Sequence, residues 1–522
     1  MMAVYRELSR LSRTRVKAAW TSFAGNQSCK RRLSRFHGSN KIPKHIGYPS
    51  RSIDCSEVHA SHSHSRHWQT PSATDVFALI QPPEDSSDVQ DDVTSAYIHL
   101  PFCKKKCLYC DFPVVAVGRN KAGSSENGMM DAYIDALCKE IEMTASHGNT
   151  VDDSAYHGNS VYEKQRDLPR SGLRTIYFGG GTPSLISLKS LERILVLLES
   201  TFGINRSQSA EITIEADPGT FDASTLSSYM NLGIARVSVG VQAFDDTLLQ
   251  LCGRSHTLYD VYKAIEDIHA SGMPSWSLDL ISGLPSLDLE LWDKNIHCAI
   301  DAEPKHISAY DLQIEPGTPF GKSYRPGISP LPSDEDAAMM YSQASTILQG
   351  AGFEHYELSS YAKPGHQCKH NAVYWDGSGY HAFGMGASSY VQRRRVTRPK
   401  KIQQYMAWVE RFSDMVEQET NCQVLPHLDA PESTPEDMLT DMVMLQLRKS
   451  SGLHLDSILK QYEHGQLIVD TIIESLTENI EKGLVEYDKE KQVIKLLDPQ
   501  GFLFSNDVIS DIFVALDEIK QM

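Results

Sequence analysis

Short apolar stretches recur through the middle of the chain, at 95–100 (SAYIHL), 173–180 (LRTIYFGG), 211–217 (EITIEAD), 236–242 (RVSVGVQ), 276–284 (WSLDLISGL) and 306–312 (HISAYDL). Their length and their content of β-branched and aromatic residues read as buried strands. Between them the pattern changes to a helical period. Met130, Tyr133, Ile134, Leu137, Cys138 and Ile141 fall on one helical face, and Leu188–Phe202 behaves the same way after a GGGTPS turn. Strand–helix alternation predicts an α/β fold with a parallel sheet, and six such units suit a partial (β/α)6 barrel better than the eight of a complete one.

This barrel core is expected to span residues 92–394, with the polar, Gly-, Ser- and Asn-rich stretch 144–171 as a surface insertion. Past about residue 395 the alternation stops. Thr434 is placed to cap a helix that begins at Pro435 and runs through Leu447. A second helix at about 466–482 ends at Gly483, and Leu484–Leu497 alternates like a hairpin. Residues 395–522 are therefore expected to form a mainly helical, winged-helix-like C-terminal domain. No internal repeat of the kind that builds a solenoid is visible.

Charge changes the picture at the N-terminus. Residues 1–52 hold twelve Lys and Arg against the single acid Glu7, which leaves −28 of the chain's −17 total on residues 53–522. The basic segment reads as an organelle transit peptide, or else as a basic tail with no address. Residues 53–91, rich in His, Ser, Pro and Asp and without periodicity, read as a disordered linker. So acidic a body repels phosphate backbones, which argues against nucleic-acid partners. No apolar run reaches the roughly 18 residues of a membrane helix, so a soluble protein is expected.

The ten cysteines are scattered except for one cluster, which argues against a secreted disulfide framework. Cys103, Cys107 and Cys110 lie within eight residues, in the loop after the first predicted strand, where barrel active sites form. Thiolates suit zinc or iron–sulfur clusters. Structural zinc asks for a fourth ligand, and His99 is the nearest candidate, although it is better placed to pack or hydrogen-bond at the strand end. A 4Fe–4S cluster held by three thiolates leaves one iron open to chelate the methionine end of a sulfonium cofactor. The Gly179-Gly180-Gly181-Thr182-Pro183 turn lets backbone approach a ligand closely. It does not fit the GxGxxG pattern of a dinucleotide site. Glu215, Gln242 and Asp279 repeat as polar residues at or near later strand ends, and Arg254 could meet a carboxylate, with an ion pair as the alternative.

CxxxCxxC after a strand resembles the signature of the radical S-adenosylmethionine superfamily. YIHLPFCKKKCLYCDF, FGGGTPS, IEADPGT, RVSVGVQAFDD, LDLISGLP and KHNAVYW together resemble the family that includes oxygen-independent coproporphyrinogen dehydrogenases and HemW-type heme chaperones, over residues 95–520. The resemblance implies a 4Fe–4S cluster on Cys103, Cys107 and Cys110. It further implies S-adenosylmethionine held by Tyr97, Tyr109, Gly180, Gly181, Thr182, Glu215, Gln242, Arg254 and Asp279, with Gln313 a weaker contact. Bulk at Gly181, as in Gly181→Val, would then block the cofactor while sparing iron.

The dehydrogenases carry a further cysteine two residues after the third ligand; here Phe112 stands there. The chaperones carry an aromatic there and an HNxxYW segment, present as His370-Asn371-Ala-Val-Tyr374-Trp375. The resemblance therefore implies heme binding by His370, Asn371, Tyr374 and Trp375, and transfer to an apo-hemoprotein, rather than propionate decarboxylation. Imidazole ligates iron while rings cover the porphyrin face. A buried His–Asn pair with aromatic packing is what spacing alone favours. Cys368 is an alternative ligand or a plain buried cysteine. Ser388 departs from relatives that often carry His. An electron donor for the cluster is implied as a partner, and a mitochondrial address before a plastid one.

Overall fold

The computed structural model describes residues 93–118, 125–148, 172–205, 210–418 and 430–519. The expected transit peptide and nearly all of the linker and insertion lie outside these residues.

Six strands form where the apolar runs predict them: β1 (Ser95–Leu100), β2 (Thr175–Gly180), β3 (Glu211–Ala216), β4 (Arg236–Gln242), β5 (Ser275–Ser282) and β6 (His306–Asp311). All pair in parallel, each with the next. Alternation within each strand sorts its side chains between two faces. Ala96, Ile98, Leu100, Ile176, Phe178, Ile212, Ile214, Val237, Val239, Leu278 and Ile307 are buried in the main apolar core, with the helices. Burying a side chain of this size stabilises by roughly 1.5–3 kcal/mol each. The intervening residues are polar and meet one another on the other, concave face. Thr175 Oγ1 donates to Ser95 Oγ (2.9 Å), Tyr177 Oη to Glu215 Oε1 (3.1 Å) and Ser277 Oγ to Ser238 Oγ (2.8 Å). The barrel thus has an apolar jacket and a polar lumen.

The helices α1 (Ser125–Gly148), α2 (Leu188–Phe202), α3 (Ala223–Asn231), α4 (Asp246–Leu251), α5 (Leu258–Ser271) and α6 (Leu289–Asp301) lie between strands. Most start on a side-chain cap: Ser187, Asp222, Asp245, Thr257 and Asp288 each accept an N–H of the first turn. The apolar face read on α1 is real, for Tyr133, Ile134, Leu137, Cys138 and Ile141 are all buried. This helix runs to Gly148, past the expected start of the insertion at residue 144.

A short helix, α7 (Pro319–Ser323), and a long one, α8 (Asp334–Gly350), follow. The sheet then gains three short strands that the periodicity does not announce. β7 (Glu354–Glu357) and β8 (Ser360–Ala362) extend it antiparallel beyond β6, and β9 (His381–Phe383) adds to β1 in parallel. The order is β9-β1-β2-β3-β4-β5-β6-β8-β7. Between β8 and β9 lies α9 (Lys369–Trp375). A hairpin, β10 (Ser388–Val391) and β11 (Arg394–Thr397), precedes α10 (Ile402–Gln418).

Ile402, Tyr405, Val409 and Phe412 of α10 belong to the main core, which therefore continues past residue 394. A second apolar core begins in α11 (Pro435–Gln446), opened by the Thr434–Asp437 capping box, and we propose that the domain junction lies between α10 and α11. The remaining helices are α12 (Leu455–Gln461), α13 (Gly465–Ser475), α14 (Thr477–Glu481), α15 (Gln500–Leu503) and α16 (Ser505–Ile519). Leu476 separates α13 from α14, where one helix is expected. The expected hairpin forms as β13 (Val485–Asp488) and β14 (Val493–Leu496), and β12 (Leu453–His454) completes a three-stranded sheet. Helices with such a sheet match the winged-helix-like expectation.

Candidate cofactor site at the barrel mouth

The cysteine loop leaves the carboxyl end of β1 and folds back on itself. Phe102–Cys103 pairs in parallel with Val115–Ala116, and Val117 N–H donates to Cys103 O (2.8 Å). Cys103, Cys107 and Cys110 are all half-buried. Burial pushes the Cys103 thiol up to about 12 and the Cys110 thiol up to about 11. Without a cation these groups stay protonated, whereas a metal that binds thiolate would displace the proton.

The zinc alternative fits poorly. His99 has both ring nitrogens engaged, Nδ1 with Tyr97 Oη (3.1 Å) and Nε2 with Pro113 O (3.0 Å). Among the described residues no group of three or more His, Cys, Asp or Glu is placed to hold a single metal ion. Zinc needs such convergence, but a cubane does not, since each thiolate binds a different iron. The loop residues fit a 4Fe–4S cluster better.

The GGGTP turn supports this loop directly. Gly181 N–H donates to Leu100 O (2.8 Å) and Thr182 N–H to Phe102 O (2.7 Å). A Cβ on Gly181 would stand 2.6 Å from the Pro101 carbonyl carbon, and one on Gly180, at φ +113°, 2.5 Å from the His99 ring. These glycines serve the close approach of two chain segments as well as of any ligand.

Polar groups ring the mouth. Glu215 accepts from Gly180 N–H (2.9 Å) and Tyr177 Oη (3.1 Å), and burial, against the pull of the Gly180 hydrogen bond, lifts its carboxyl to about 7. Burial also raises Asp279; its Oδ2 accepts from Ser238 Oγ (3.4 Å) while its Oδ1 is buried without a partner. Tyr97 stacks on Tyr177 at 6.4 Å. Gln242, the last residue of β4, sits at φ +71° beside a break in the β4–β5 register, a sparsely populated conformation that recurs at functional sites. Tyr109 packs near Phe320. Gln313 is exposed and bonded to Asp311, away from this group.

Arg254 meets a carboxylate within the chain. Its Nη2 donates to Asp217 Oδ1 (2.5 Å) and Gly240 O (2.8 Å). Nη1 donates to Cys107 Sγ (3.2 Å) and Tyr109 Oη (3.4 Å). Asp217 and Tyr177 escape a search for polar strand ends. Asp217 stands two residues after Glu215 in IEADPGT, so same-face spacing is the signal that finds it.

A buried brace stands behind the loop. Glu140 pairs with Arg398 (2.7 Å), both nearly solvent-free, and its other oxygen accepts from Tyr405 Oη (2.6 Å) and Gly384 N–H (2.9 Å). Tyr133 Oη donates to His99 O (2.8 Å). Ser388 is part of the adjoining hairpin, bonded to Thr397 (2.7 Å).

The HNxxYW segment lies elsewhere. It forms α9, whose first N–H groups, on Lys369 and His370, donate to Glu211 Oε1 at the amino end of β3. His370 is completely buried, with Nδ1 on Thr175 Oγ1 (2.7 Å), Nε2 on Tyr374 Oη (2.9 Å) and its ring stacked on Tyr177. Thr175 opens β2, so His370 sits at the amino-terminal end of the barrel, away from the cysteine loop. Burial lowers it to about 3. Asn371, Tyr374 and Trp375 are buried too, with Asn371 Oδ1 and Trp375 Nε1 unpaired. In this structure neither ring nitrogen of His370 is free and the ring is fully buried. Cys368 is buried as well, its thiol raised to about 11 by burial.

Residues 97–297 match the radical SAM superfamily, the class that barrel and cysteine loop define. The chain is 37% identical over 442 residues to the heme chaperone HemW of Synechocystis sp., covering 81% of this chain and 97% of that one. It is 32% identical to the mitochondrial radical S-adenosyl methionine domain-containing protein 1 of Bos taurus, over 56% of this chain and 59% of that one. The structure of the coproporphyrinogen III oxidase HemN from Escherichia coli, 20% identical, shares the fold with a TM-score of 0.62 over 85% of this chain and 92% of that one. The chain belongs to the HemW family.

Proposed function

We propose that this protein is an organellar heme chaperone whose barrel holds a 4Fe–4S cluster on Cys103, Cys107 and Cys110 and binds S-adenosylmethionine beside it. The observation that carries the cofactor reading is the half-buried thiol loop joined to the Gly180–Thr182 turn, whose Gly180 N–H in turn bonds Glu215. A cluster so held would supply one iron able to chelate methionine's amino and carboxylate groups and an electron for the sulfonium. Gly180 and Gly181 with Thr182 shape the floor for that ligand; Glu215 and Asp279 offer acceptors, and Tyr97, Tyr109 and Gln242 flank them. Phe112, in place of a cysteine, and the kinship with HemW support heme transfer over coproporphyrinogen oxidation. His370, Asn371, Tyr374 and Trp375 support this function as the barrel floor rather than as open ligands.

The address reading rests on the basic segment 1–52 and on the mitochondrial relative. The alternative is a plastid address. A fluorescent reporter fused to residues 1–52 decides between them, and a diffuse cytosolic signal would remove both.

Anaerobic reconstitution tests the rest. The wild type should take up about four iron and four sulfide, and Cys103→Ala, Cys107→Ala and Cys110→Ala should each lose the chromophore. It should bind heme and release it to an apo-hemoprotein. Turnover of coproporphyrinogen III to protoporphyrinogen IX would instead establish the dehydrogenase.

A further inference from the structure

The LCGRSH segment after α4 is docked onto the cysteine loop. Leu108 N–H donates to Cys252 O (2.9 Å), and Gly253, at φ +71°, lies so close that a Cβ would stand 2.9 Å from Leu108 Cγ. This contact delivers Arg254, whose side chain is only 7% exposed, to the Cys107 sulfur. Asp217 holds the other end of the guanidinium. The same carboxylate accepts from Thr182 Oγ1 (3.2 Å). One of the three thiols is thus tied through a continuous path, Cys107–Arg254–Asp217–Thr182, to the glycine turn.

We propose that Arg254 and Asp217 are positioning residues that set the reduction potential of the cysteine loop's cluster, Arg254 by donating to the Cys107 sulfur and Asp217 by fixing and partly neutralising that guanidinium. The proposal rests on the cluster reading above. It goes beyond the expectation that Arg254 serves S-adenosylmethionine: Nη1 and Nη2 are engaged within the chain, while the buried Nε has no partner and stays available to a ligand. Charge and hydrogen bonds to sulfur tune cluster potentials, and groups behind the ligands do so without touching the metal. One-electron reduction adds negative charge. A guanidinium on the thiolate stabilises it and a carboxylate opposes it, and burial keeps both effects from being screened.

The two substitutions should therefore act with opposite sign. Arg254→Gln should shift the midpoint potential of the reconstituted protein negative, Asp217→Asn should shift it positive, and Arg254→Lys should shift less than Arg254→Gln because it keeps the charge. Mediated potentiometry with dithionite as the one-electron reductant, followed by electron paramagnetic resonance and run without S-adenosylmethionine, reads this directly. Iron and sulfide are counted on the same samples. Equal potentials in wild type and both neutral variants at full iron content would overturn the proposal, as would shifts of the same sign. A wild type that takes up no iron would instead overturn the cluster reading. If Arg254→Gln fails to hold iron, Asp217→Asn and Arg254→Lys still decide, since a merely structural role predicts no positive shift in the first.

Discussion

At Gly181 the chain leaves room for a hydrogen and nothing larger. Expected from the sequence as a place where bulk would block a cofactor and spare iron, it stands instead against the backbone of Pro101 and Phe102, one residue before Cys103. Backbone cannot turn aside as a side-chain tip can, so Gly181→Ala should displace the cysteine loop itself. Iron bound after reconstitution should fall several-fold in Gly181→Ala, together with cofactor affinity; full iron with weakened cofactor binding would restore the first reading. The three thiols, the glycine turn, Glu215 and Asp279 are legible in the sequence because each belongs to a local motif or a strand end. The Tyr177–Glu215 pair is not, because it depends on cross-strand register over 38 residues, and the Arg254–Asp217 pair is not, because it depends on how the loop after α4 docks over 37 residues.

Elements of five or more residues in a strict period announce themselves, so β1 to β6 and α11 form close to their expected limits. The strands β7, β8 and β9, three or four residues long, carry no periodic signal; their pairing is imposed by the sheet edges they meet. Helix α9 illustrates a different gap. HNxxYW shows that a histidine and two rings lie together, but Thr175 and Glu211, 195 and 159 positions from His370, fix which end of the barrel they occupy. His370→Ala would remove two hydrogen bonds and a stacked ring, and leave the partner hydroxyls of Thr175 and Tyr374 buried. It should cost about 2–4 kcal/mol of stability. Urea unfolding should show that loss, while heme titration gives an affinity near that of the wild type. Loss of heme affinity at undiminished stability would make His370 the ligand after all.

For the whole molecule, the polar lumen has a consequence for acid stability. His99, His256, His306 and His370 are all buried, and burial lowers each, to about 4 for His99 and His256, well below its usual value for His306 and to about 3 for His370. In the unfolded chain they titrate near 6.5, so as pH falls below that value the unfolded state takes up protons that the folded state refuses, and stability drops. The lumen and mouth carboxyls act in the opposite direction. Burial raises Glu215 to about 7 and Asp279 above its usual range, so the folded state gains protons there first and is favoured by acid. Four histidines outnumber two carboxyls, and all four begin to titrate within the same narrow range near 6.5. The net slope should therefore follow the histidines, on the order of 1 kcal/mol lost per pH unit between about 6.5 and 5. Histidines in β1, beside β4 and at the amino end of the barrel would then destabilise several parts of the barrel together. Urea midpoints of the metal-free protein at pH 7.5, 6.5 and 5.5 should decline in that order, with the larger step below 6.5. A midpoint that rises toward pH 5.5 would show that the Glu215–Asp279 carboxyls, not the buried histidines, govern the acid response of this barrel.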